Sequence, residues 1–499
     1  MAGMGESGPP GTALSSPVLR QFGAGGTSRQ ATGLSSVADP RCCIHLDAVS
    51  AFSMSWAFPN RRKDRIVRSR ARSLIAALAS ALAVGAGAVS APHAWTQPVT
   101  EVAGADFYVP PAPLPGGPGT IVRAEPSHLA LSMGAMPATS TRVMYTSSNT
   151  HGASAAATGT FLMPAVPWTG PGPRPLVAYA GGTKGQGDQC APSKLLAQFI
   201  HFEPPVNLIF EYDVVALYSL LSRGMAVVMT DYQGLGTPAV HGFLNRKEQA
   251  HAVLDSARAA LRLPGTGLAP DSPVILYGYS QGGMASAGAA ELHPSYAPDL
   301  NVRGAYVGGP VVDDQYFVGY NDGRAAAAPT HAWILNGMAA SYPQVRPVLD
   351  AELNDTGKAI LRDSESKCAM PVGMAQNHPH TAQWTSSGQP LTAVIDRNPV
   401  LRAAFAEQRV GSLTPSAPVL IASAKNDEGA PFPPIHATAA DWCGGGAAVQ
   451  LEANSSIPPM TGLAGTHVLA FFPALDASQQ WITDRLAGRP APSNCGALP

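Results

Sequence analysis

The chain predicts an α/β fold, a mostly parallel central sheet with helices on both faces. Short apolar runs at residues 176–180, 225–230, 274–277, 419–423 and 448–451 each have strand length and most end in turn-rich or polar loops. Helical patterns fill the intervals, and strands that alternate with helices pair in parallel, because each crossover helix packs back on the sheet. Composition agrees. With 499 residues, 45% hydrophobic and 13% charged, the chain can bury a large core in one elaborated domain or two. Its 51 Gly and 47 Pro suit a loop-rich enzyme better than a coiled coil or a disordered protein.

Residues 1–53 show no periodicity and precede a segment that already reads as a complete export signal, so they are expected to be an upstream extension, with Met54 the initiator. Residues 61–72 hold seven Arg/Lys, relieved among acidic residues only by Asp64. An uncharged run of small and aliphatic residues, 74–89, follows. A basic segment, an apolar core and a small-residue exit predict a signal peptide region over 54–91 and a secreted protein. The run is short for a membrane span, which needs ~20 apolar residues. Beyond residue 91 remain 22 Lys/Arg against 29 Asp/Glu, a net charge of −7. That excess argues against nucleic acid as a partner. Residues 92–499 are expected to form the catalytic domain.

The run 176–180 leads into Gly181-Gly182-Thr183-Lys184-Gly185, and 225–230 into Asp231-Tyr232-Gln233-Gly234-Leu235-Gly236, read as a structural turn. Ala250, Val253, Leu254, Ala257 and Leu261 lie on one face of a helix that Pro264-Gly265 stops. The run 274–277 enters Gly278-Tyr279-Ser280-Gln281-Gly282-Gly283, and a small-residue helix over 284–292 leaves it. Strand, glycine-rich turn and helix hold a serine in a strained conformation with its hydroxyl above the sheet edge. A further strand is expected at 304–307. The stretch 310–399 mixes aromatic and apolar residues with Asp/Asn-rich turns and is expected to be a cap. The run 419–423 leads into Asn426-Asp427-Glu428, and the weaker run 448–451 precedes His467 and a final helix over 475–486.

A serine hydroxyl needs a positioned base, and the base needs a carboxylate to fix its tautomer. On this kind of sheet the order is Ser, acid, His. Six histidines follow Ser280: His293, His331, His378, His380, His436 and His467. Asp427 stands just past a strand, with Glu428 as its competitor. His467 has room before it for a helix and a strand, whereas His436 lies nine residues beyond Asp427. The oxyanion would be met by the amide of Gln281 and by one from the loop at Gly182 and Thr183. Four cysteines follow residue 91 (Cys190, Cys368, Cys443, Cys495), enough for two disulfides in any of three pairings. Without a closely spaced His/Cys cluster, no metal site is expected, and the chemistry needs no cofactor.

These motifs resemble the secretory lipase family, the α/β-hydrolases related to fungal lipase A. The likeness rests on Phe107-Tyr108-Val109-Pro110-Pro111, Cys190-Ala191-Pro192-Ser193, residues 230–238 (TDYQGLGTP), the turn at Ser280, Asn354-Asp355-Thr356-Gly357 and Asp484-Arg485, and covers residues 106–495. It implies an α/β-hydrolase fold with a mainly helical cap inserted before the acid, and a triacylglycerol lipase or esterase working on lipid esters at a lipid–water interface. It carries the nucleophile onto Ser280, the acid onto Asp427 and the base onto His467. It also favours pairing Cys190 with Cys368 and Cys443 with Cys495. No obligate protein partner is expected. The alternatives are a cutinase-like carboxylesterase on soluble esters, an extracellular acyltransferase and, more remotely, an inactive binding protein on the same fold.

Overall fold

Side chains along the central strands alternate between two hydrophobic layers, and this alternation sets the architecture. The computed structural model describes residues 105–131, 138–204, 207–371, 373–460 and 464–499; the expected extension and signal peptide lie outside them. The described strands are β1 (Ile121–Ser127), β2 (Ala138–Ser148), β3 (Ser154–Pro164), β4 (Leu176–Ala180), β5 (Ile200–Glu203) and β6 (Asn207–Phe210). They continue with β7 (Ala226–Gln233), β8 (Val274–Tyr279), β9 (Val302–Gly308), β10 (Met370–Pro371), β11 (Val419–Ala424) and β12 (Val449–Asn454).

One sheet runs β1-β2-β3-β7-β4-β8-β9-β11-β12. Its pairs are parallel from β7 to β12 and antiparallel along β1, β2, β3 and β7. Leu176, Ala178, Val274 and Leu276 face one layer, with helices Arg246–Arg262 and Gln281–Tyr296. Val177, Tyr179, Ile275 and Tyr277 face the other, with helices Val214–Leu221 and Gly465–Leu486. Covered on both sides, parallel strands read as unbroken apolar runs, as β8 does, buried at every position. Each Val, Leu or Ile so buried contributes about 1.5–3 kcal/mol.

The helix expected around residues 250–261 spans Arg246–Arg262. Asn245 caps it by accepting the Glu248 amide at 3.2 Å, and Leu263 turns extended ahead of Pro264. Strand β7 runs past the expected end at residue 230 and takes in Asp231, which is no turn residue. Its carboxylate is buried but accepts the Ser193 amide (2.7 Å) and the Ser193 and Thr158 hydroxyls (2.5 and 2.6 Å), so a strand interior tolerates it. The final helix begins ten residues before the expected start and carries His467 in its first turn; Pro473 inside it hid the earlier turns from a pattern reading.

Between β9 and β11 the chain is mainly helical, from Asp314–Asn321 through Pro399–Gln408. Strand β10 of this insertion pairs with β6, and β6 with β5, in a small antiparallel sheet.

Candidate active site

Ser280 sits between β8 and its helix at φ 62°, ψ −121°, a conformation that costs a non-glycine residue on the order of 1–3 kcal/mol. The neighbours leave it no alternative. Its amide donates to the Gly308 carbonyl at 2.9 Å. A Cβ on Gly278 would lie 2.1 Å from the Gly282 carbonyl oxygen, and one on Gly282 would lie 2.0 Å from that of Ala180. Strand, turn and helix therefore interlock without room for a methyl group.

Two long-range contacts complete a relay. His467 Nε2 lies 2.8 Å from Ser280 Oγ, and His467 Nδ1 lies 3.0 and 2.8 Å from the two carboxylate oxygens of Asp427. Asp427 is 1% exposed, and its Oδ1 also accepts the amides of Gly429 and Ala430 at 2.8 Å. With Nδ1–H donating to a carboxylate, Nε2 is left as the acceptor facing the hydroxyl. Tyr279 anchors the His467 main chain by donating its hydroxyl to the His467 carbonyl at 2.7 Å. Burial works against a charge on His467, but the nearby Asp427 carboxylate and then Glu428 outweigh it and raise its pKa above the ordinary histidine value. Of the competing residues, Glu428 accepts the amide of Thr466 at 2.8 Å instead of meeting the imidazole. His436 lies on helix Phe432–Gly444 with its ring beside Phe432.

The amide of Gln281 opens the helix that follows Ser280, where N–H groups lack intrahelical acceptors and the helix dipole favours negative charge. Its side chain is held as well. Gln281 Nε2 donates to His241 Nε2 at 3.0 Å, and His241 Nδ1–H donates to the Gln233 carbonyl at 3.0 Å. Burial pushes His241 down to about 4, so it stays neutral in this role. Across the turn, the loop after β4 corrects the sequence expectation in part. The Gly182 amide already donates to Asp213 Oδ2 at 3.1 Å and so is not a free donor. The Thr183 amide has no protein acceptor among the described residues.

His241, Tyr212 and Asp213 escaped the sequence reading. An acidic pair flanking a tyrosine, Glu211-Tyr212-Asp213, beside otherwise apolar sequence was the available signal. Both disulfides join the cysteines that the resemblance implied, Cys190 with Cys368 and Cys443 with Cys495.

A serine at a strained strand–helix turn, above the carboxyl edge of a mostly parallel sheet and in contact with a histidine from a later segment, defines the α/β-hydrolase class. Within that class the chain belongs to the secretory lipase family, whose model matches residues 203–494. It is 30% identical to a "probable inactive lipase" of Mycobacterium tuberculosis, over 77% of this chain and 82% of that protein. It is 28% identical to lipase A of Arthroderma benhamiae (78% and 80% covered) and 31% identical to a secreted triacylglycerol lipase of Malassezia furfur (50% and 52%). Lipase A of Candida antarctica in its closed state shares the fold, with a TM-score of 0.64 at 21% identity over 82% of this chain and 90% of that one. A rice cell wall degrading esterase from Xanthomonas oryzae does too, with a TM-score of 0.61 at 18% identity over 74% and 100%. The chain is thus a lipase-type ester hydrolase by family.

Proposed function

We propose that this protein hydrolyses the carboxylic esters of acyl lipids through an acyl-enzyme on Ser280. As Ser280 Oγ attacks the ester carbonyl, His467 Nε2 takes its proton and then returns it to the leaving alcohol; water repeats the sequence to free the acid. Asp427 fixes the tautomer and stabilises the imidazolium. The amides of Gln281 and Thr183 receive the oxyanion, and one such donor is worth about 2.7–4 kcal/mol of barrier. The unbroken contact from Asp427 through His467 to Ser280 carries this reading, because an inactive descendant of the fold would have no need to keep it.

The surroundings favour a water-insoluble substrate. Val468 and Leu469, on the same helical turn as His467, are 58% and 42% exposed. Tyr316 and Tyr320 are exposed on the first helix of the insertion, and Arg324 donates to the Glu428 carbonyl at 3.3 Å. We read this insertion, including residues 310–399, as a cap that presents an apolar acyl site. Export through residues 54–91 fits a secretory family and two disulfides. Hydrolysis of p-nitrophenyl butyrate, absent in Ser280→Ala, tests the chemistry, and release of fatty acid from emulsified long-chain triglyceride tests the substrate class. A wild-type protein active on soluble esters alone would make it a carboxylesterase.

A further inference from the structure

Lys184, one residue beyond Thr183, is 1% exposed, with Nζ 2.8 Å from Glu211 Oε1, 2.8 Å from Asp213 Oδ2 and 3.2 Å from the centre of the Tyr212 ring. Glu211 and Asp213 are themselves buried. Burial works against the ammonium, but Asp213 and Glu211 outweigh it and keep Lys184 charged. A buried ion cluster of this sort is weak evidence for stability, since well-packed apolar residues serve a core as well or better. Its value lies in what it holds.

The cluster grips the main chain on both sides of one peptide. In the peptide joining Gly181 to Gly182, the carbonyl accepts the Tyr232 hydroxyl at 2.7 Å and the N–H donates to Asp213 Oδ2 at 3.1 Å. In the peptide joining Thr183 to Lys184, the carbonyl accepts the Tyr212 hydroxyl at 2.5 Å. Between them lies the peptide that bears the Thr183 N–H. Its preceding residue is Gly182, which has no Cβ to limit rotation. Asp213 is fixed in turn by the Tyr179 hydroxyl at 2.9 Å and by Lys184 at 2.8 Å.

We propose that Asp213 and Tyr212, held by the buried Lys184, are positioning residues that aim the Thr183 amide at the developing oxyanion. The role rests on the reading of Ser280 as an ester-cleaving nucleophile. An amide aimed only while the pins hold is a preorganised donor, and it acts on the transition state more than on substrate binding.

The test compares wild type, Ser280→Ala, Tyr212→Phe, Asp213→Asn and Lys184→Met on a soluble aryl ester and its thionoester analogue. The thionoester places a larger, weakly accepting sulfur where the oxyanion would form. Tyr212→Phe should lower kcat about 10- to 100-fold, and Asp213→Asn up to about 1000-fold, with KM changed less than about threefold. The preference for ester over thionoester should fall by about tenfold in both, because misaimed donors lose the oxygen ester's advantage. Full kcat in Tyr212→Phe and Asp213→Asn would overturn the proposal, as would a lower kcat with an unchanged ester preference, which marks a merely structural role. If Lys184→Met does not fold, Tyr212→Phe, which keeps the ring beside Lys184, still decides. No ester hydrolysis by wild type, or activity retained in Ser280→Ala, would refute the underlying reading instead.

Discussion

In the proposed mechanism the working groups on one flank of Ser280 are side chains: His467 at 2.8 Å from the hydroxyl and Asp427 at 2.8 Å from the imidazole. On the other the proposed groups are main-chain amides, on a loop after β4 that Asp213 and Tyr212, from a different part of the chain, hold by hydrogen bonds. The relay flank stands on strand ends, where β11 and the last helix bring the acid and base together. The proposed oxyanion flank stands on a glycine-rich loop with little conformational preference of its own, and a buried ion cluster is bonded to it. Mutations on the first flank should therefore act through chemistry, and those on the second through aim.

The relay flank should break hardest. Ser280→Ala, His467→Ala and Asp427→Ala should each lower kcat by about four to six orders of magnitude, and the double variants by little more than the singles, because the three act as one unit. Steady-state turnover of a soluble ester checks this; near-normal activity in His467→Ala would return attention to His436. The oxyanion flank should break next, by the 10- to 1000-fold loss expected for Tyr212 and Asp213.

Stability separates the flanks by their disulfides. Cys443–Cys495, 52 residues apart in sequence, tethers the carboxyl terminus to the helix that follows the Asp427 loop. Cys443→Ala/Cys495→Ala should lose up to about 4 kcal/mol in urea denaturation by freeing the unfolded chain. A loss well under 1 kcal/mol would show that the tether adds little.

The pH profile sharpens the relay flank further. The proposed mechanism needs His467 neutral, and Asp427 and Glu428 raise its pKa above the ordinary 6.5 against the opposing effect of burial. The acid limb of kcat/KM should therefore lie above pH 6.5, with rates rising as pH increases through it. Stability runs the opposite way. Protonated His467 stabilises the fold fully below its unfolded value of about 6.5, and that contribution is lost as pH rises through the higher folded value. Glu428→Gln should move the acid limb to lower pH while kcat stays within about threefold. A limb that does not move would leave Asp427 as the sole source of the shift.

The smallest effect concerns the exposed rim. Leu469→Ser should lower release of fatty acid from an emulsion severalfold and barely change turnover of a soluble ester. Equal losses on both substrates would remove Leu469 from any role at the interface.

Most of the proposed relay flank was legible because it follows rules of order. A buried strand must be apolar on both faces, the nucleophile must follow one at a glycine-rich turn, and the acid and base must come later. Residues 176–180, 274–277 and 419–423 announced their strands, and Ser280, Asp427 and His467 fell at or beyond strand ends. The start of the last helix was illegible because Pro473 breaks its pattern. The oxyanion flank was legible only as a glycine-rich loop. Nothing in Gly181-Gly182-Thr183 says which amide is free, since Asp213, 31 residues after Gly182, takes the Gly182 N–H. Asp231 misled for the same reason: its partners Ser193 and Thr158 are distant in sequence, and only folding shows that a carboxylate in a strand is satisfied.

Whether Ser280 is the nucleophile activated by His467 is decided by mass analysis of protein treated with an activated alkylphosphonate ester, which traps the attacking serine. One phosphonyl group per chain is expected, on the peptide containing Ser280, with activity lost in proportion and no labelling in Ser280→Ala. Ester hydrolysis that survives complete labelling of Ser280, or stoichiometric label on another serine, would contradict that role for Ser280.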